Sequence, residues 1–301
     1  MNDFAKYHAL GNDYLVVDPN EVDFPAEPDA VRLLCDRHFA IGADGLLLGP
    51  IGPVEPGRPV GLRLFNPDGS PCERSGNGLR IFALYLMERY QVGPDLVLRT
   101  IAGDSRVVVC DAATGVVRVE LGRPSFAPAQ VQVLDMADPT IGRPLTVDGR
   151  ELTVTALHNG NPHVVVPLPD AEVTEELARR LGPPIAGHDR FPHRTNVQFL
   201  AVLDRATIRI EIWERGAGYT LASGSSACAA ACAAHALGLV DAAVEVRMPG
   251  GEVAVTIDPD GGVALTGVVE QVATGHLAPA LRDRLGIGGN HRVNGERGDR
   301  G

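Results

Sequence analysis

Two hydrophobic periods run through this chain. In "ATIRIEIWE", Ile208, Ile210 and Ile212 fall on one side and Thr207, Arg209 and Glu211 on the other, the period-two pattern of a strand. "VGLRLFN" (60–66) repeats it, as do "DLVLRT", "RVVVC" and "GVVRVEL" between 95 and 121. Three more strands, "AAVEVRMPG", "GEVAVTI" and "GVALTGVVEQVATG", read as a closing meander, and the Pro-rich "GRPSFAPAQ" as a crossover. Helical spacing is predicted in "PDAVRLLCDRHF" (28–39) and "VTEELARRLG" (173–182). Two further runs are apolar and helix-like, and both open on Ser-Gly: "SGNGLRIFALYL" from Ser75 and "SGSSACAAACAAHALG" from Ser223.

The order of these elements repeats. "HALGNDYLVV" resembles "HNGNPHVVV", placing Asn12 and Asn161 149 residues apart. Ser75 and Ser223 are 148 apart, as are Asn66 and Glu214, which end matching strands. A common offset across separate landmarks implies duplication. The expected fold is α/β (α+β): two pseudo-symmetric mixed-sheet halves, each wrapped around a central helix, with a site in the cleft between them. The halves are placed at 1–121 and 122–262. The final strand, about 263–276, is expected to return to the first half, and 288–301 to form a flexible tail.

Length fits this division, since 301 residues suit two domains. The formal charge of −11 comes without any basic cluster, which argues against nucleic acid or an anionic membrane as partner. No leader pattern and no membrane-length apolar run is present, so a cytoplasmic location is expected. The five cysteines form no Cys-x-x-Cys pair, and Cys228 and Cys232 share one helix face as small hydrophobes. His188 and His193 read as loop histidines, and no Walker loop or complete Gly-x-Gly-x-x-Gly occurs. Neither a metal nor a cofactor is expected.

The first amides of a helix lack internal partners and attract anions. Those of Gly76 and Asn77, and of Gly224 and Ser225, are placed to hold a carboxylate from two sides. Each serine taken singly reads equally well as an N-cap. Taken as a pair across a cleft, they suit two-base inversion, in which one group removes an α-proton and the other returns it from the far face.

With "RHFAIGADGLLL", "FNPDGS", "SGNGLR", "HNGNPHVV", "RTNVQF" and "ERGAGYTLASGSSACAA" in that order, the chain resembles the diaminopimelate epimerase family of cofactor-independent racemases. The resemblance implies that Asn12, Asn66, Asn161, Asn196, Glu214 and Arg215 hold an amino-acid substrate of diaminopimelate type. Arg215 would grip a carboxylate and Glu214 an ammonium. A homodimer is expected by the same analogy. The resemblance also implies cysteines at the two helix starts, where this chain has Ser75 and Ser223. It departs again at Tyr219, usually Glu, and at Ser226, usually Gly. A thiol titrates near ~8.5 and a hydroxyl nearer water's ~15.7, so each serine needs help. Cys72 is three residues out of register, and His163 is the candidate that could approach in the fold. Three readings stay open: an epimerase with an engineered or naturally diverged Ser/Ser pair, a dehydratase or lyase on the same pocket, and a non-catalytic amino-acid-binding paralogue.

Overall fold

Strands β1 (Phe4–Ala9) and β2 (Asn12–Val17) pair antiparallel about Leu10 and Gly11, both at positive φ. Helix α1 (Pro28–Cys35) crosses to β3 (Gly45–Ile51), parallel to β2, and β4 (Val60–Phe65) returns antiparallel. A stub, β5 (Pro71–Cys72), leads into α2 (Gly76–Tyr90). Strand β6 (Asp95–Thr100) then runs parallel to β4, and β7 (Gly103–Asp111) and β8 (Val116–Gly122) meander away from it.

After the short α3 (Pro128–Val131) and β9 (Arg143–Val147), the same sequence of moves begins again. Strands β10 (Arg150–His158) and β11 (Pro162–Pro167) pair antiparallel, and α4 (Glu175–Ala186) crosses to β12 (Asn196–Asp204), parallel to β11. Strand β13 (Thr207–Glu214) returns, and the stub β14 (Gly218–Thr220) leads into α5 (Gly224–Ala236). Strand β15 (Ala243–Met248) lies parallel to β13, and β16 (Gly251–Ile257) and β17 (Val263–Val268) complete the meander. Strand β18 (Glu270–Gly275) pairs with β1 as β9 pairs with β10, and α6 (Pro279–Leu285) follows. Antiparallel pairing of β8 with β17 joins everything into one 18-stranded sheet. This computed structural model describes residues 2–287, so the tail expected at 288–301 lies outside the described residues.

Each half encloses its own apolar helix. Helix α2 is buried without a break from Gly78 to Leu86, and α5 from Ser226 to Ala234. A helix apolar on every side needs protein on every side, and both belong to one continuous apolar cluster. Amphipathic helices cover the outside: α4 brings Leu177, Leu181 and Ile185 against β12 and β13, and α1 brings Val31 and Leu34 against β3.

Three details differ from the sequence pattern. Helix α1 stops at Cys35, because the Asp36 carboxylate accepts from the amides of His38 (2.7 Å) and Phe39 (2.8 Å) and turns the chain. The single closing strand expected over 263–276 is two strands. The break falls at Val269, whose amide donates to Gly115 O at 2.9 Å, so β17 stays beside β16 and β8 while β18 alone reaches β1. In β13, the polar face is covered as well. Glu211 is buried under Tyr219, whose hydroxyl donates to it at 2.7 Å.

Candidate active site

Both serines occupy the N-cap position, in extended backbone, of the two buried helices. Ser75 Oγ accepts from Gly78 N at 3.0 Å, and Ser223 Oγ from Ser226 N at a longer 3.5 Å. These caps satisfy the third amide of each helix. The amides of Gly76, Asn77, Gly224 and Ser225 are left without a partner among the described residues. Two pairs of bare N–H groups at helix starts make a site for a carboxylate.

The two helix starts meet. The position a Cβ would take on Gly224 lies 3.4 Å from Asn77 Oδ1, so the second residue after Ser75 and the first after Ser223 are neighbours across the halves. The turn between β10 and β11 closes one side, with Asn159 donating to Ser225 O at 2.9 Å and Gly160 lying against the Arg74 guanidinium. The turn between β1 and β2 closes another, with Asn77 Nδ2 donating to Asn12 Oδ1 at 2.9 Å and Asn12 Nδ2 to Asp44 at 3.1 Å. Beneath them Arg80 is 1% exposed and donates to Asn77 Oδ1 at 2.7 Å, with no carboxylate partner among the described residues; burial lowers its pKa to about 10. This buried cation adds to the positive field of the two helix starts.

Glu214, at the end of β13, lies near Ser223, with no hydrogen bond between them among the described residues. Burial raises its pKa, and the Ser223 hydroxyl partly offsets the rise. Arg215 follows it into solvent, where among the described residues its side chain hydrogen-bonds only His193 O, at 3.4 Å, so it can turn toward a ligand. Asn196 is buried, and both ends of its amide are engaged: Nδ2 donates to Pro162 O and Oδ1 accepts from Arg215 N at 2.9 Å. It fixes the start of the Arg215 loop. Asn66 is exposed in its turn and donates to Ser70 Oγ at 2.9 Å. Asn161 Oδ1 lies 2.5 Å from His163 Nε2.

His163 is not the helper the sequence suggested. It is fully buried, burial lowers its pKa to about 3, and it makes no hydrogen bond to either serine. Neutral and enclosed beside Gln198, it holds Asn161 in place. The sequence passed over Tyr14, whose hydroxyl donates to Ser75 Oγ at 3.0 Å, together with Asn159 and Arg80. Of these, only Arg80 carried a legible signal, as a charge inside an otherwise apolar helix. The two departures at 219 and 226 are accommodated away from the free amides. Tyr219 packs under Arg179 and on Glu211, and Ser226 accepts from Gln198 Nε2 at 3.0 Å.

The family model described as diaminopimelate epimerase matches residues 4–127 and 155–272. The chain belongs to the diaminopimelate epimerase family. It is 46% identical to a protein of Nostoc sp. named diaminopimelate epimerase 2, over 92% of this chain and 96% of that one. It is 38% identical to the diaminopimelate epimerase of Desulfitobacterium hafniense, over 94% and 99%. Among solved structures, a hydroxyproline epimerase from Agrobacterium vitis shares the fold, with a TM-score of 0.60 at 16% identity over 90% of each chain. A phenazine biosynthesis protein of the PhzF family from Enterococcus faecalis gives 0.61 at 14% identity, over 90% of this chain and 97% of its own. The duplicated halves are thus an architecture shared at very low sequence identity.

Elsewhere, a cavity of about 470 Å³ lies between β1, β18 and the far end of α2, lined by Tyr7, Asp18, Tyr85 and Glu88. Two of its acids are engaged by tyrosines, Glu88 by Tyr7 and Asp18 by Tyr85 and Tyr90, and two by arginines, Asp3 by Arg282 and Glu21 by Arg89; it includes no residue of the candidate site. Among the described residues no group of His, Cys, Asp and Glu could hold a metal, and no helix is long and apolar enough to cross a membrane. All five cysteines are free thiols.

Proposed function

We propose that this chain is a cofactor-independent isomerase that inverts the α-carbon of a diaminodicarboxylic acid, as a diaminopimelate epimerase serving lysine biosynthesis. Ser75 and Ser223 stand as the two acid–base groups. The observation that carries this is the contact of Asn77 with Gly224, which brings two serine-capped helix starts to one place.

The α-proton of an amino acid becomes removable when the charge left behind spreads onto its carboxylate. The bare amides of Gly76, Asn77, Gly224 and Ser225 are aimed at such a charge, and they gain strength in a site shielded from water. Glu214 and Arg215 supply an acceptor for the ammonium and a donor for a carboxylate. Asn12, Asn161 and Asn196 act mainly by holding these elements in register. Asn66 and Arg215 face solvent on the open side, where the distal end of the substrate would lie.

Incubation with LL-diaminopimelate, followed by chiral chromatography, tests this. The meso isomer should accumulate to a mixture that is also reached from meso. Loss of water or ammonia from the substrate would instead support a lyase. Saturable binding without any conversion would support a binding protein.

A further inference from the structure

The serines are not equivalent, and the difference lies in who donates to whom. A hydroxyl has one proton to give and two lone pairs to receive. Both lone pairs of Ser75 are occupied, one by Gly78 N and one by the Tyr14 hydroxyl, each at 3.0 Å. Its own proton is therefore the one hydrogen-bonding capacity it can direct at a substrate. Ser223 has a long cap bond of 3.5 Å, a hydroxyl contact of 3.4 Å with Ser225, and a carboxylate, Glu214, nearby. Donating to that carboxylate would leave a lone pair to take a proton once the rotatable Ser225 hydroxyl turns away.

Tyr14 is built into this position. It is buried, its ring lies on β2 against Gly45 of β3, and a Cβ on Gly45 would come within 2.5 Å of the ring. Only glycine leaves room for it there. We propose that Tyr14 is the proton reservoir behind Ser75, making that serine the acid in one direction of inversion and the base in the other. This rests on Ser75 being an acid–base group. When a carbanion at Cα is quenched, the Ser75 O–H bond breaks as the Cα–H bond forms. The Tyr14 O–H bond breaks in turn, and its proton restores the serine. Ser75 leaves as a neutral hydroxyl, and the negative charge rests on the Tyr14 oxygen. In reverse, the phenolate receives the Ser75 proton while Ser75 takes the α-proton. Even raised by burial, a phenol (ordinarily ~10) stays more acidic than a hydroxyl near water's ~15.7, so the relay lifts from Ser75 part of the cost of becoming an alkoxide. Burial pushes Tyr14 well above its ordinary range, and the Ser75 contact offsets only part of that rise.

Tyr14 acts through Ser75, as a positioning residue, so its test must separate proton supply from packing. Tyr14→Phe keeps the ring on Gly45. It should lower kcat on diaminopimelate by about 100-fold with KM within about twofold. Any alkaline fall of kcat/KM that Tyr14 sets should lie above the phenol's ordinary ~10 and vanish with the substitution. Cys72 on β5, Asp44 before β3 and Glu214 at the end of β13 also face Tyr14, so the alkaline limb must persist in Cys72→Ser. In a Ser75→Cys background the thiol supplies its own acidity, and the penalty of Tyr14→Phe should shrink at least tenfold. A loss below about threefold in the native background, an equal loss in both backgrounds, or a limb that follows Cys72 would overturn the proposal. If the native chain converts no diaminopimelate, the functional assignment fails and this relay falls with it. If the native chain turns over and Tyr14→Phe turns over alike, the relay alone fails.

Discussion

At the scale of single residues, the side chains assigned chemistry stand apart from those that hold them. His163 belongs to the second kind, and its burial has a measurable cost. The folded protein keeps its pKa near about 3, whereas the unfolded chain returns it to its ordinary ~6.5. Between these values the unfolded state binds the extra proton, so stability falls as pH drops from 6.5 toward 3. The loss is of order 4 kcal/mol. Urea unfolding across that range should show the fall in the native protein and a shallower one in His163→Gln, which keeps a donor for Asn161. The sequence offered His163 only as a side chain that could approach the serines in the fold, since no neighbour of either serine in the chain could act as a relay. Motif spacing does not say that its ring turns inward. Tyr14 escaped notice for the opposite reason: its partner is 61 positions away, and nothing local distinguishes it from a core tyrosine.

At the scale of elements, the question is whether a serine at a helix start is a cap or a catalyst. The structure makes both serines caps, and that does not exclude the other role. Asn caps a helix about as well as Ser but offers no hydroxyl. Ser75→Asn and Ser223→Asn should therefore keep the native unfolding midpoint while abolishing turnover. Ser75→Ala should lose about 1 kcal/mol of stability, and Ser223→Ala less, because its cap bond is longer. Strand alternation in β13 and the Ser-Gly openings of α2 and α5 were legible in the sequence, because period and capping chemistry are local. The early stop of α1 was not, since it depends on the rotamer of Asp36. Nor was the split of β17 from β18, which depends on a distant partner, Gly115.

At the scale of the whole molecule, duplication creates the site. Each half supplies one buried helix and one Gly-Asn turn, and neither completes the set without the other. The seam between halves is the β8–β17 pairing with its neighbour contact at Gly115. Gly115 sits at φ +68°, and a Cβ there would fall 2.0 Å from Val269 O. Gly115→Ala should cost roughly 2 kcal/mol and lower a single cooperative melting transition by a few degrees, with no separate melting of one half. The offset near 148 residues made this architecture visible before any coordinates. The contact between Asn77 and Gly224 was beyond it, because an offset reports equivalence and not proximity.

Isotope partition puts two-sided inversion by Ser75 and Ser223 to the strictest trial. With LL-diaminopimelate in heavy water and turnover stopped early, the meso product should carry deuterium at the inverted carbon while recovered substrate carries none. Proton removal and return then belong to different hydroxyls, each bearing one hydrogen. Deuterium appearing equally in recovered substrate and product would mean that one group serves both faces, and the matched serines would be caps alone.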